Sequence, residues 1–329
     1  MTATAGIPTR ANPAVFALSP DHTARIDAAA RDLCATLPEV DDPRWVAAAR
    51  SAWEELPASL RRTAREYRRH SGRTGALLIR GLPVDATALP PTPIVKGSVQ
   101  REASVSAAVL MMMACGLGDP AAFQAEKSGA LVQDVVPVPG QETFQGNAGS
   151  VALMMHNENA FHEHRPDHVM LLCLRADHES EAGLRTAGIR EALPLLPPAV
   201  VEALSRPEFS TQPPPSFGAQ EEETPAHPIL FGDPHDPDVR VDFAATTGLT
   251  PLAEEALHTL EKALDDVSYT LRLAAGDLAI VDNRVTLHGR TAFSPRYDGN
   301  DRWLQRTFVL TDLRRSRGHR PKDGYILSR

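Results

Sequence analysis

Residues 276–310, GDLAIVDNRVTLHGRTAFSPRYDGNDRWLQRTFVL, contain a turn, a short apolar run, a histidine at 288 and a later β-rich run with Arg302 and Arg306. Similar short β-rich runs begin at Leu131, and turn residues separate them. Many short strands between turns favour a sandwich or barrel over alternating strand–helix units. The sequence therefore predicts a mainly β core.

Helices are expected to flank this core. Residues 41–70 have aspartates that could cap a helix, a proline at 43 at a helix start and helical spacing of apolar residues, with a break at Pro57. The pattern also predicts a helix over Ser104–Cys115, stopped by Gly116, and another over Leu252–Val267.

One domain is expected over residues 1–329, with a helical part at 1–74 and the β core at 75–329. Residues 75–82, GALLIRGL, are typical of a buried strand. Residues 207–228 are polar, acidic and rich in proline, which indicates a long flexible loop that acts as a lid.

The bulk composition excludes several classes of function. The net charge is −8, which argues against binding to nucleic acid or anionic membranes, and no apolar run approaches the roughly 20 residues of a membrane span. The N-terminus lacks the pattern of a signal peptide. Three widely spaced cysteines, at positions 34, 115 and 173, are typical of free thiols in a reducing compartment, so we expect a cytoplasmic protein.

A second stretch, MMHNENAFHEH at residues 154–164, raises the question of a metal site. Alternate residues of a strand point to one face, so His156 and Glu158 could chelate one ion. One or two such triplets are expected by chance at this composition, so an exposed strand pair is the alternative. Zinc on His162 and His164 is a further alternative, although HExxH and a nearby cysteine are both absent.

The histidine at 288 changes the interpretation of this triplet. Two histidines and one carboxylate on a single face form the facial triad of non-haem Fe(II) oxygenases, which leaves positions for a cosubstrate and O₂. An arginine further along can bind a cosubstrate carboxylate through two hydrogen bonds. Spacing alone leaves open whether these side chains meet.

Four segments together carry a resemblance to a known family: EKSGALVQDVVPV, HNENAFHEHRPDHVMLLCLR, GDLAIVDNRVTLHGRT and DGNDRWLQRTFV. Over about Gly75–Leu313 the chain resembles the clavaminate synthase-like Fe(II)/2-oxoglutarate oxygenases. The resemblance implies a double-stranded β-helix (jelly-roll) core with flanking helices. It implies that His156, Glu158 and His288 hold Fe(II) and that Arg302 binds 2-oxoglutarate.

The resemblance also implies a substrate, a free polar L-amino acid hydroxylated at carbon 3 or 4 in natural-product biosynthesis. Arg306 would bind its carboxylate and Glu126 its ammonium group. Asp242 matches an acid near the substrate side chain in relatives, and Gln145 and Asn147 fall where relatives make polar contacts with the substrate. Each of the two acids could instead be a structural or surface residue, and Arg306 could be a sheet-surface arginine.

Arg240 departs from the arginine hydroxylases, which have an acid two positions before Asp242. Strand alternation places residues 240 and 242 on one face, so an inward Arg240 would repel a cationic substrate. We therefore expect citrulline or an asparagine-like amide before arginine or lysine. A carrier-tethered amino acid and a non-catalytic cupin-like binding protein remain alternatives.

Overall fold

Two β-sheets face each other across a buried layer of side chains, and helices cover their outer surfaces. The computed structural model describes residues 11–214, 217 and 225–328. Its strands are β1 (Ala14–Ala17), β2 (Ala76–Arg80), β3 (Asp119–Phe123), β4 (Gln133–Val135), β5 (Leu153–His156), β6 (His168–Arg175), β7 (Gly183–Gly188), β8 (Phe209–Thr211), β9 (Leu230–Asp233), β10 (Asp236–Val239), β11 (Thr246–Gly248), β12 (Tyr269–Arg272), β13 (Leu278–Asp282), β14 (Thr286–Arg290), β15 (Trp303–Leu310) and β16 (Ile326–Leu327).

The larger sheet has eight strands in the order β1-β2-β13-β6-β15-β3-β16, with β4 also paired to β15. The smaller sheet has four strands in the order β12-β7-β14-β5. Two further antiparallel pairs, β8 with β11 and β9 with β10, lie outside these sheets. This arrangement confirms the predicted mainly β, double-stranded β-helix core with flanking helices.

Seven helices lie in the described residues, and four of them pack outside the larger sheet. The helices are α1 (Pro20–Cys34), α2 (Pro43–Glu54), α3 (Ala58–Arg69), α4 (Val105–Leu117), α5 (Ile189–Ala192), α6 (Pro198–Leu204) and α7 (Pro251–Val267). The first four form one apolar cluster with the outer face of the larger sheet, and α7 covers the smaller sheet. As predicted, α2 begins at Pro43, and its cap is Asp42.

Strand alternation on β15 decides which residues reach the space between the sheets. Leu304 and Phe308 belong to the apolar layer between the sheets, whereas Trp303 and Val309 pack against the helices. Arg306 lies between Leu304 and Phe308 in the same alternation, so its side chain enters the inter-sheet space. The site described below occupies the open end of this layer.

Three features of the fold differ from the predictions. The N-terminal part also contributes β1, which pairs in parallel with β2. Gly116 does not stop α4, because the helix continues to Leu117. A Cβ at Gly116 would lie 2.4 Å from the Trp53 ring, so glycine is needed for close packing with α2.

The predicted lid at residues 207–228 is only partly a loop. Phe209–Thr211 forms β8, which pairs with β11, and His227 bridges to Phe209. Residues 215, 216 and 218–224 lie outside the described residues. Phe217 is buried against the rings of Phe123 and Phe161.

Candidate functional site

Three side chains meet at the open end of the sheets. His156 and His288 are register partners on the antiparallel strands β5 and β14, and their ring centroids are 4.4 Å apart. Glu158 follows β5, and its Oε2 lies 3.5 Å from Nε2 of His288. One nitrogen or oxygen from each residue lies within 4.8 Å of the others. The structure thus places these three side chains close together, which their spacing in the sequence could not establish.

Two buried asparagines, which the sequence pattern does not predict, hold Glu158 in place. Asn283 accepts a hydrogen bond from the Glu158 amide at 2.8 Å and donates to the Glu158 carbonyl at 3.0 Å. Asn157 donates to the carbonyls of Asn283 and Thr286. Asn283 directly follows the last residue of β13, and a polar residue at a strand end is too common a signal to identify this role.

The electrostatics of this cluster favour metal-binding protonation states. Burial would raise the pKa of Glu158, but Arg306, His288 and His156 outweigh it and hold the pKa well below its usual range. Burial, with His156, lowers the pKa of His288, so its imidazole is neutral at pH 7. Nδ1 of His156 donates to the Met154 carbonyl at 2.9 Å, which leaves its Nε2 lone pair free to bind a metal.

Arg306 lies at the centre of the buried charges. Its Nη1 donates to Glu158 Oε2 at 2.9 Å, and its Nη2 donates to Glu126 and, at 2.5 Å, to Gln133 Oε1. Burial raises the pKa of Glu126, and the nearby negative charge of Glu158 raises it further. The positive charge of Arg306 opposes this shift but does not cancel it. Arg306 is 4% exposed, so it is not a sheet-surface arginine.

Arg302 precedes β15 and is the second buried arginine of the site. It is 5% exposed, and its Nη1 has no hydrogen-bond partner among the described residues. Burial lowers its pKa. A buried guanidinium without an anionic partner is costly, so this group is suited to a ligand carboxylate. A small cavity of about 40 Å³ connects Arg302 to His156, Glu158 and His288.

Arg290 and Phe293 surround Arg302 and were not predicted. The guanidinium carbons of Arg290 and Arg302 lie 5.5 and 5.7 Å from the centre of the Phe293 ring. Burial, with the nearby charge of Arg302, lowers the pKa of Arg290 to about 9. The position of Arg290 two residues after His288 on β14 would have indicated its direction, since alternate strand residues share a face.

A larger cavity of about 350 Å³ borders two of the clustered side chains, His156 and Glu158, together with Arg306. The predicted substrate residues all border it: Glu126, Gln145, Asn147 and Asp242. Asp242 is also bridged to His156 through the backbone. Gln145 is committed elsewhere, because its amide bonds the Ala152 carbonyl and the Met154 amide.

The expectation that Arg240 faces this cavity is wrong. Its Nε and Nη2 donate to the carbonyls of Ala160 and Phe161 at 2.5 and 2.8 Å, and it borders a different cavity. The alternation of side chains along a strand does not hold here, because β10 ends at Val239 and residues 240–242 do not form a regular strand. Arg240 therefore shapes the backbone beside the site.

His162 and His164 do not join the three clustered residues. His162 is buried among Phe123, Phe161 and Phe217 rather than exposed on a loop. The rings of His164 and His319 meet edge to face, with centroids 4.9 Å apart. Neither histidine borders the larger cavity beside His156.

Comparison with known proteins assigns the family. The chain matches the family described as taurine catabolism dioxygenase TauD, TfdA family, over residues 43–308. It is 66% identical over 287 residues to the L-asparagine oxygenase of Streptomyces coelicolor, which covers 87% of this chain and 86% of that relative. The chain belongs to the TauD/TfdA dioxygenase family. It is also 35% identical over 296 residues to clavaminate synthase 2 of Streptomyces clavuligerus, which covers 85% of this chain and 88% of that relative.

A solved structure of the family is also very similar. This is an asparagine oxygenase in complex with Fe(II), (2S,3S)-3-hydroxyasparagine and succinate, with a TM-score of 0.94 and 60% identity. The alignment covers 96% of this chain and 99% of that one. These matches confirm the predicted resemblance to the clavaminate synthase-like oxygenases. They also confirm the prediction of a dioxygenase that uses Fe(II) and 2-oxoglutarate. None of the described helices is long and apolar enough to cross a membrane.

Proposed function

We propose that this protein hydroxylates free L-asparagine at carbon 3, using Fe(II), 2-oxoglutarate and O₂. The relative with 66% identity is an L-asparagine oxygenase, and the similar solved structure contains 3-hydroxyasparagine. The observation that carries the proposal is the placement of Arg306. This single guanidinium contacts Glu158 of the candidate metal triad and Glu126 on the wall of the cavity.

His156, Glu158 and His288 would hold the iron. Two neutral imidazoles and one carboxylate on one side of an ion form the donor set of non-haem Fe(II) oxygenases. The donor atoms fit because they cluster within 4.8 Å of one another, and because His156 and Glu158 border the larger cavity while His288 borders the small one. Asn283 and the Met154 carbonyl would orient the ligands, a role that partners of metal ligands commonly have.

Arg302 would bind the distal carboxylate of 2-oxoglutarate. The small cavity beside Arg302 also borders His156, Glu158 and His288, so a dicarboxylate held at its distal end by Arg302 would extend along this opening toward the metal ligands. The unpartnered Nη1 of Arg302 supports this role. Arg290 would add a second positive charge next to the same carboxylate.

Arg306 and Glu126 would bind the α-carboxylate and α-ammonium of the amino acid. An incoming carboxylate would compete with Glu126 for Arg306, and an incoming ammonium would compensate Glu126. The exchange keeps every buried charge paired, which a low-dielectric site requires. A carrier-tethered amino acid is disfavoured because its thioester offers Arg306 no free carboxylate.

The far end of the cavity would recognise the side-chain amide. Asn147 and Asp242 border the cavity and could together donate to the amide oxygen and accept from the amide nitrogen. One oxygen of Asp242 already accepts from the Ala244 amide at 2.9 Å, so the other is the one left for substrate. We propose a secondary role at most for Gln145, whose amide is held by the backbone.

The chemistry itself would come from the cofactors. When bound, Fe(II) and 2-oxoglutarate activate O₂ for insertion of one oxygen atom into a C–H bond. The residues of this chain clamp the α-carbon end of the amino acid, so the neighbouring carbon 3 faces the metal. Pro213, Pro214 and Phe217, which border the cavity, would then help to exclude water from it. Free cysteines and an amino-acid substrate support a cytoplasmic location, and we propose a role in natural-product biosynthesis.

The proposal is tested by product analysis. Purified protein with Fe(II), 2-oxoglutarate and air would be offered asparagine, aspartate, glutamine, citrulline and arginine, and products would be identified by mass spectrometry and NMR. The proposal predicts 3-hydroxyasparagine with equimolar succinate, and much less product from the other four. A preference for citrulline or arginine would overturn the choice of asparagine, and no succinate with any substrate would favour a non-catalytic binding protein. Glu158→Gln tests the metal triad in the same assay, and His164→Gln, at a residue that does not border the larger cavity, is its control.

A further inference from the structure

A second group of side chains of the types that bind metals includes Asp301, which directly precedes Arg302. His178 is in the turn between β6 and β7, and Asp298 and Asp301 are in the loop before β15. Nε2 of His178 lies 3.4 Å from Asp298 Oδ1 and 3.6 Å from Asp301 Oδ1. Asp301 is 1% exposed, His178 is half-buried and Asp298 is exposed.

The hydrogen bonding of this group is incomplete. Nε2 of His178 and Oδ2 of Asp301 are both buried and have no hydrogen-bond partner among the described residues. The distances from His178 Nε2 to Asp298 Oδ1 and to Asp301 Oδ1 exceed the usual N–H···O range of about 2.7–3.2 Å. Leaving a carboxylate oxygen buried and unpaired costs free energy, so the geometry calls for a bound group between these atoms.

The spacing fits a divalent transition-metal ion. Ligand atoms bound to a tetrahedral ion at about 2.0–2.1 Å lie about 3.3–3.4 Å apart. The separations of 3.4 and 3.6 Å are close to this value, and they match the 3.5 Å between His288 and Glu158 in the candidate iron triad. We propose that His178, Asp298 and Asp301 form a second metal site, for Zn²⁺ or a similar first-row ion. An imidazole ligand favours such ions over Mg²⁺ or Ca²⁺.

The surrounding contacts already hold the turn against the loop. Arg296 pairs with Glu179 of the turn, and the Arg296 amide donates to Asp301 Oδ1 at 2.7 Å. Thr92 donates to the Asp301 carbonyl at 2.7 Å. A metal here would join the turn to the residue that directly precedes Arg302, so it would stabilise the segment that places the proposed 2-oxoglutarate anchor.

A third cluster serves as a comparison. Glu163, His164 and His319 also have donor atoms within 4.8 Å of one another. Glu163 is exposed, however, and none of the three residues has a buried polar atom without a partner. This cluster therefore lacks the unsatisfied atoms that point to a ligand, and substitutions in it are matched controls.

The test is metal stoichiometry, which does not depend on turnover. Metal-free full-length protein would be titrated with Zn²⁺ against a chromophoric chelator, and bound zinc would be measured after gel filtration. Wild type is expected to bind two equivalents, and His156→Ala to keep the second. In the His156→Ala background, His178→Gln and Asp298→Asn are each expected to raise the Kd of the remaining equivalent at least tenfold, whereas His164→Gln leaves it unchanged.

Asp298→Asn is the cleaner variant, because asparagine can keep the Oδ1 contact to the Asn300 amide and the position is exposed. Saturation of wild type at one equivalent would overturn the proposal and leave a plain histidine–carboxylate ion pair. So would a second equivalent that survives His178→Gln or that is lost in His164→Gln. Failure of asparagine hydroxylation would leave this stoichiometry unaffected, so the two proposals fail separately.

Discussion

Arg306 donates to Glu158 Oε2 at 2.9 Å, so one guanidinium contacts both the proposed metal ligand and, through Glu126, the proposed ammonium site. With these proposed roles, metal binding and substrate binding would be electrostatically coupled in this cavity. A substrate carboxylate that draws Arg306 toward itself would weaken its hold on Glu158 and change the field at the metal. This coupling separates the expected effects of the two buried arginines.

Arg302→Ala should raise the concentration of 2-oxoglutarate needed for half-maximal turnover. Truncating one partner of a buried charge pair costs about 2 kcal/mol or more, which corresponds to about 30-fold. Arg306→Ala should instead raise the asparagine requirement by a similar factor and leave uncoupled 2-oxoglutarate consumption measurable. Steady-state kinetics with each substrate varied in turn would distinguish these outcomes, and exchanged phenotypes would contradict the assignment of both arginines.

His156→Ala, Glu158→Ala and His288→Ala should each abolish hydroxylation and lower Fe(II) affinity by well over the roughly 10- to 100-fold expected for residues that only orient ligands. Asn283→Ala should fall within that smaller range, because Asn283 fixes the backbone of Glu158. Anaerobic Fe(II) titration measures the Fe(II) affinity of the triad variants and of Asn283→Ala. Iron loss in the His162→Ala control, with binding retained in His288→Ala, would refute this ligand set.

Arg240→Met should lower the free energy of unfolding by about 1–3 kcal/mol, because two backbone carbonyls lose a charged donor. The ratio of kcat/KM for asparagine to that for arginine should not change, since Arg240 borders a different cavity. Urea unfolding and competition assays check the two parts. A gain of arginine turnover in this variant would show that Arg240 does face the substrate.

Lys127 should make stability depend on alkaline pH. Burial, with the charge of Arg306, lowers its pKa to about 8, against 10.5 as the ordinary value. Between these pH values the unfolded chain binds more protons, so the folded state gains stability as the pH rises. Relative to Lys127→Met, wild type should gain about 1–2 kcal/mol between about pH 7.5 and 9.5. Exposed Lys262 provides the control substitution, and parallel curves for wild type and Lys127→Met would contradict the shift.

Strand spacing alone leaves the triad open, because Glu158 lies beyond the end of β5. The resemblance to the family supplied the grouping. It placed His156, Glu158, His288, Arg302 and Arg306 in one site before their distances were known. Sequence reasoning missed Asn283, because a single asparagine at a strand end carries no pattern that distinguishes a structural role from a turn. It missed Phe293 because the contact of this ring with Arg302 depends on how the loop after β14 packs against the segment before β15, whereas the strand position of Arg290 could have indicated its direction.

The errors also have identifiable physical causes. Arg240 was placed in the cavity by extending strand alternation beyond Val239, where the regular backbone ends. The sequence pattern predicts that Gly116 stops a helix. In the structure Gly116 instead leaves room for the ring of Trp53 on another helix. The short strand β1 could not be predicted, since its pairing with β2 is a tertiary contact of four exposed or half-buried residues.

The most direct test of the central claim is the absorption band of the anaerobic Fe(II)–2-oxoglutarate complex. We expect the wild-type protein to show this metal-to-ligand charge-transfer band and L-asparagine to perturb it at lower concentration than citrulline, arginine or lysine. Arg302→Ala should lose the band at moderate 2-oxoglutarate, and Arg306→Ala should keep the band but lose the response to asparagine. A band that responds to arginine or citrulline and not to asparagine, or the absence of any band in wild type, would contradict the account.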